Sequence, residues 1–164
     1  MAKTLEAEQR AIARLFHFKN EFSSDEYALC DYPVVDAHVK KLLQAQGFTT
    51  NFKSKWPSPS TECFELQTHN VSVHPHKDDV PHGMYFALYV VKTKKVRPDS
   101  GYASITEFYS QLGRKEQKHN FYEGALCVFD PRQTHSLMFY GEETTFMLFT
   151  VKRIKKVKVP SSVL

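Results

Sequence analysis

His76-Lys77-Asp78 is the part of this chain best suited to hold a metal ion. It ends a stretch, VSVHPH, whose composition suits an extended strand, and alternate residues of a strand share a face. The spacing predicts that His74, His76 and Asp78 point one way while Val71 and Val73 point the other. An imidazole and a carboxylate two positions apart at a strand end can bind one cation from the same side. A third donor must come from elsewhere. His135 is the candidate, because it follows a second β-type stretch, GALCVFDPRQTH, that Gly124 opens and Asp130-Pro131 bends. Two imidazoles and one carboxylate on a divalent metal leave coordination positions open opposite them, whereas a closed protein shell would be structural. The competing reading makes His76 and Asp78 polar residues at a strand-to-turn transition and His135 an ordinary hydrogen-bonded histidine. His69, His82 and His119 sit in turn-like sequence and are expected at the surface.

The elements that must position these residues are two helices followed by short strands. Leu5, Ile12, Leu15 and Phe16 fall on one helical face between Leu5 and Phe18. Val35, Val39, Leu42 and Leu43 repeat at helical spacing from Asp36 to Gln46, with Asp36 placed to cap the start and Gly47 to end it. The segment Thr49 to Ser60 is polar, holds two prolines and reads as a loop. Strands are expected at Glu62–Gln67, Val71–His76, Met84–Lys92, Ala103–Phe108, Ala125–Phe129, Ser136–Tyr140 and Thr144–Lys152, with a further one allowed in the basic tail. The region Ile105 to Leu112 is equally compatible with a short helix. The run MYFALYVV is apolar at successive positions, so it should be a middle strand buried on both faces. This order predicts a mainly β fold, an antiparallel sandwich or barrel with helices on one outer face. The expected organisation is a single domain over 1–164: helices and loop in 1–60, the β unit in 61–152 and a basic tail in 153–164.

Composition agrees. Hydrophobic residues are 41% and charged residues 24%, which suits a globular chain, and aromatics at 13% favour strands. The longest apolar run is too short to span a bilayer, and MAKTLEAEQR lacks the apolar region of a secretory signal, so no membrane partner and a cytoplasmic location are expected. Cys30, Cys63 and Cys127 form no C-x-x-C pair and read as free, mostly buried thiols in a reducing compartment. The net charge of +4 is uneven: Lys92, Lys94, Lys95 and Arg97 form one basic group, and Lys152, Arg153, Lys155, Lys156 and Lys158 another. Such groups attract polyanions, or simply protect a strand edge.

With these motifs in view, the chain resembles the 2-oxoglutarate- and Fe(II)-dependent oxygenases, in particular their compact prolyl-hydroxylase-like branch. The resemblance runs from about Val71 to Val151 and rests on HKD, FALYVV, the turn PDSG and GALCVFDPRQTHSL. It implies a double-stranded β-helix (jelly-roll, cupin-like), Fe(II) held by His76, Asp78 and His135, 2-oxoglutarate as cosubstrate, and hydroxylation of a C–H bond. It also implies that Tyr89 touches the cosubstrate. In that branch a base, usually Arg, lies about ten residues past the last His and pairs bidentately with the distal carboxylate. Here Thr144 and Thr145 stand in that place, so Lys92 and then Arg153 are the substitutes. Strand alternation puts Tyr89 and Lys92 on opposite faces unless a bulge intervenes.

That departure keeps two alternatives open. A metal-binding cupin-type enzyme that does not use 2-oxoglutarate would draw on the pair His74-Pro75-His76 with Asp78 or Asp79 and His135. A non-enzymatic metabolite-binding β-barrel would keep the fold alone. The substrate is not legible. The basic groups allow a nucleic acid or nucleotide, and a protein side chain or amino acid is equally allowed.

Overall fold

Val35, Val39 and Leu43 are fully buried along one stripe of a helix, and that stripe sets the architecture. The structure is a computed structural model that describes residues 4–15, 22–50, 63–69, 73–95, 105–109, 115–120, 122–138 and 142–154. Helix α1 spans Leu5–Arg14, with the Thr4 hydroxyl accepting from the Ala7 N–H at its start. Helix α2 spans Pro33–Ala45 and begins earlier than expected, with proline in its first turn. Asp36 therefore does not cap it; it lies one turn inside and pairs with Lys40 at 2.9 Å. The cap comes from α1 instead. Glu8 is buried, and its Oε2 accepts from the Val35 N–H at 2.7 Å, placing a carboxylate at the positive end of α2. Glu8→Ala should cost about 1–3 kcal/mol, the usual penalty for stranding a buried donor. Glu8→Gln, which keeps an acceptor, should cost less; urea unfolding of the two variants checks this. Gly47, at φ +85, ends the helix as its position predicts.

The strands are β1 (Phe22–Ala28), β2 (Phe48–Thr49), β3 (Cys63–His69), β4 (Val73–His76), β5 (Tyr85–Lys95), β6 (Ile105–Tyr109), β7 (Lys115–Asn120), β8 (Leu126–Phe129), β9 (His135–Met138) and β10 (Glu142–Arg153). They form two antiparallel sheets. The larger has the order β1-β3-β10-β5-β8, with β2 paired to β10, and the smaller has the order β4-β9-β6-β7. The fold is thus mainly β with two helices, as expected, and β5 is the interior strand that MYFALYVV predicts. Residues 105–109 form a strand rather than a helix; 110–112, the end of the first expected helix (16–18), most of the loop 51–60 and the tail from 155 lie outside the described residues. Strands β1, β2 and β7 are additions to the sequence-based expectation, and β2 takes in Thr49, expected to begin the loop.

The larger sheet has two apolar faces. Its outer face carries Phe64, Leu66, Ala87, Tyr89, Val91, Met147, Phe149 and Val151, which pack with Ile12, Leu29, Val35, Val39 and Leu43 beneath the helices. Its inner face carries Leu88, Val90, Phe129 and Phe146, with Phe86, Cys127 and Leu148 packed against them. The Phe129 ring lies 5.0 Å from that of His135, tilted against it, and His135 belongs to the smaller sheet, so this inner face is turned toward that sheet.

Candidate metal centre

Two strand ends bring the three expected ligands together. His76 closes β4 and His135 opens β9, and the two are directly paired across the smaller sheet. Facing residues of an antiparallel pair project to the same side, and here the ring centroids lie 4.4 Å apart. Asp78 follows two residues after His76, and its backbone N–H donates to the Pro131 carbonyl at 2.8 Å, tying it to the turn that precedes His135. One donor atom from each of His76, Asp78 and His135 lies within 4.8 Å of the others.

The ring nitrogens have divided roles. His76 Nδ1 lies 2.8 Å from the His74 carbonyl, and His135 Nδ1 lies 2.8 Å from the Gln133 carbonyl. A carbonyl only accepts, so each Nδ1 carries a proton, and in the neutral ring that a metal requires each Nε2 keeps its lone pair. Both lone pairs face one carboxylate: Nε2 of His135 is 3.1 Å from Asp78 Oδ2, and Nε2 of His76 is 3.7 Å from Oδ1. Lone pairs turned on a carboxylate repel one another unless a proton or a metal cation lies among them, and a single metal ion can meet all three donors at once. The donor set therefore fits a divalent metal, and the Nδ1-to-carbonyl bonds are the outer contacts that orient metal-binding imidazoles.

His74 does not join them. Val73 pairs with Leu137 and His76 with His135, so β4 carries one residue more than β9 across this interval. That bulge interrupts the alternation at His74-Pro75, both exposed, which is where a proline is tolerated in a sheet. The expectation that His74, His76 and Asp78 share one face is corrected accordingly.

The loops on either side are braced. Arg132 donates from Nε to Asp130 Oδ1 at 3.1 Å and from Nη2 to Oδ2 at 3.1 Å, while its backbone N–H also reaches Oδ1 at 3.0 Å. Its Nη1 contacts Nδ1 of His82, on the loop after Asp78. Partial burial pulls the Asp130 carboxyl upward, but the Arg132 hydrogen bonds, the Arg132 charge and His82 outweigh it and hold the group below its ordinary value. Ionised Asp130 thus adds stability above its unfolded pKa, and that stability is lost as pH falls through the lower folded value. Sequence reasoning placed His82 at the surface and gave Asp130 only a bend; no local motif marks the bridge between them.

The other expected site residues lie on the far side of the larger sheet. Tyr89 is fully buried on the outer face, where its hydroxyl accepts from Gln9 and its ring meets His38 edge-on at 6.0 Å. Burial raises its pKa, partly offset by Gln9. Lys92 pairs with Thr145, while Val90 pairs with Phe146, so Val91 is an extra residue in β5. Thr145 alternates with inward-facing Phe146, and its partner Lys92 therefore belongs to the outer face, exposed. The bulge does intervene, and it moves Lys92 to the side of Tyr89. Arg153 lies 5.5 Å from the Phe48 ring centroid and 5.4 Å from that of Tyr85, and it donates to the Tyr85 hydroxyl at 3.3 Å, again outside. The triad is brought together; Tyr89, Lys92 and Arg153 are not brought to it.

The inner face at this end is set by register. Thr150 pairs with Phe86, and Phe86 with Phe129, so a row runs from a buried hydroxyl to the ring beside His135. The Oγ1 atom of Thr150 is buried without a hydrogen-bond partner among the described residues, as is that of Thr144 toward the opposite end of the strand. Burial also pushes the Cys127 thiol up to about 12. At pH 8 its thiolate is therefore a minority on the order of 10⁻⁴; Cys30, contrary to the expected burial, is exposed, so a thiol reagent should modify Cys30 rapidly and half-buried Cys127 far more slowly, which peptide mass mapping reads directly. Lys152 and Arg153 end β10 at the metal end of the sheet, whereas β5 carries Lys92, Lys94 and Lys95 toward the opposite end.

No protein-family model and no curated protein matches the chain. Among solved structures it is similar to the selenomethionine-labelled Fe(II)/α-ketoglutarate-dependent dioxygenase TqaL, with 15% identity, a TM-score of 0.47, and coverage of 96% of this chain and 77% of that one. Among the described residues no helix is long and apolar enough to cross a membrane.

Proposed function

We propose that this chain is an Fe(II)- and 2-oxoglutarate-dependent dioxygenase on a double-stranded β-helix, with His76, Asp78 and His135 as the metal ligands. The observation that carries the reading is the convergence of two imidazole Nε2 atoms on the Asp78 carboxylate, with both Nδ1 atoms already engaged. Two His and one carboxylate leave open positions, the donor set that suits non-haem Fe(II) and exogenous ligands. The strand orders β3-β10-β5-β8 and β4-β9-β6-β7 support the jelly-roll assignment, because the chain passes repeatedly between the two sheets.

Bound there with 2-oxoglutarate and O₂, Fe(II) would supply the oxidising power for C–H hydroxylation. The protein's own share is positional. The two Nδ1–carbonyl bonds fix the ligand rings, the Asp78–Pro131 bond fixes the carboxylate, and Phe129 packs water away from His135. With Tyr89, Lys92 and Arg153 on the outer face, the distal carboxylate of the cosubstrate would be received by the hydroxyl of Thr150, whose row leads through Phe86 and Phe129 to His135. The bulge at His74 weighs against the H-x-H cupin alternative.

Anaerobic Fe(II) titration followed by 2-oxoglutarate tests the reading. A visible charge-transfer band on cosubstrate addition is expected. Tight metal without the band would favour an enzyme that does not use 2-oxoglutarate, and no tight metal would favour a metabolite-binding barrel.

A further inference from the structure

We infer that Arg132 is a positioning residue of the metal centre: it clamps the two ligand-bearing loops together and thereby sets metal affinity. The inference rests on the triad as the metal site.

The turn Asp130–Gln133 touches two of the three ligands through its backbone. The Pro131 carbonyl receives the Asp78 N–H at 2.8 Å, and the Gln133 carbonyl receives Nδ1 of His135 at 2.8 Å. The turn is closed by the Gln133 N–H on the Asp130 carbonyl at 3.0 Å. A shift of this short segment therefore moves Asp78 and rotates His135 together. Arg132 is what anchors it. Two guanidinium nitrogens grip the Asp130 carboxylate, and the third reaches Nδ1 of His82 on the loop that leads from Asp78 into β5. The planar fork allows this three-way contact, which an ammonium group could not reproduce. Arg132 and Asp130 are each about one-third exposed, at 30% and 33%, so the clamp sits at the rim and not in the core. Its loss should therefore leave the apo fold standing while the ligand geometry loosens. Contacts that orient ligands are generally worth about 10–100-fold in metal affinity.

The test is calorimetric and visible-absorption titration of the full chain with Co(II), whose d–d bands report ligand number and geometry. Wild type should bind one equivalent with a defined spectrum. Arg132→Ala should bind about 10–100-fold more weakly with altered bands, while the apo protein, losing only a partly exposed ion pair, stays folded with a slightly lowered melting temperature. His82→Ala should weaken binding too, and the double variant should do no more than Arg132→Ala alone, because both act through one bridge. His82→Gln offers Arg132 an acceptor oxygen and should restore most of the affinity. Wild-type affinity and spectrum in both alanine variants would overturn the clamp while leaving the triad intact. Failure of wild type to bind Co(II) would overturn the triad reading and the clamp with it. Should Arg132→Ala unfold, exposed His82 still carries the test.

Discussion

Asp78→Ala should lower Fe(II) affinity by at least about 100-fold, more than the loss of an outer contact, because it removes a proposed ligand and the carboxylate that faces both imidazoles. The fold should hardly notice. Asp78 is about one-third exposed, and surface changes away from packed groups usually stay within about 0.5 kcal/mol. The matched control is Asp79→Ala, which removes a carboxylate one residue away that is exposed and outside the group. If the site depends on general acidity near the loop, the two variants will behave alike. If it depends on the geometry described above, only Asp78→Ala will lose metal. Anaerobic titration of both variants separates the cases.

Phe129→Ala should produce the largest change in stability among substitutions near the centre, about 3–5 kcal/mol by the usual cost of deleting a buried aromatic ring. Phe129 is 8% exposed and joins two structures. It packs in the inner core with Leu88, Val90 and Phe146, meets Phe86 edge-on at 6.1 Å, and lies 5.0 Å from the His135 ring. Its removal leaves a void on one side of a ligand, so metal affinity should fall with stability. Phe129→Leu, which refills much of the space, should recover most of both. Urea unfolding of the apo proteins gives the first quantity, and a loss below about 1 kcal/mol would place Phe129 outside the packed interior.

The part of the site that was legible was the part encoded by residue type and local period. His76 and Asp78 are two apart at a strand end, and His135 follows a strand and a Pro-marked bend, so strand periodicity and turn chemistry were enough to nominate all three. The same holds for β5, whose unbroken apolar run reads as burial on both faces, and for α2, whose stripe of Val35, Val39 and Leu43 is buried as expected. What escaped is what depends on register. A bulge has no reliable sequence signature, and two of them decide the faces: one at His74-Pro75 separates His74 from His76, and one at Val91 places Lys92 on the outer face. Strands β1 and β7 were missed for a related reason. FSSDEYA and KEQKHN lack an alternating apolar pattern, and both lie at sheet edges, where pairing rather than burial holds a strand in place. The cap on α2 also depends on tertiary placement, since Glu8 lies on a different helix. The Arg132 bridge is long-range in the same way.

On the proposed reading one divalent cation sits among His76, Asp78 and His135. A crystal structure of the protein grown anaerobically with Fe(II), with anomalous differences collected across the iron edge, tests it most directly. A single anomalous peak is expected about 2.0–2.2 Å from Nε2 of His76, Nε2 of His135 and a carboxylate oxygen of Asp78, first-row divalent distances, with the remaining positions held by solvent. Iron bound elsewhere, at His74 or His82, or no ordered iron at millimolar Fe(II), would contradict it.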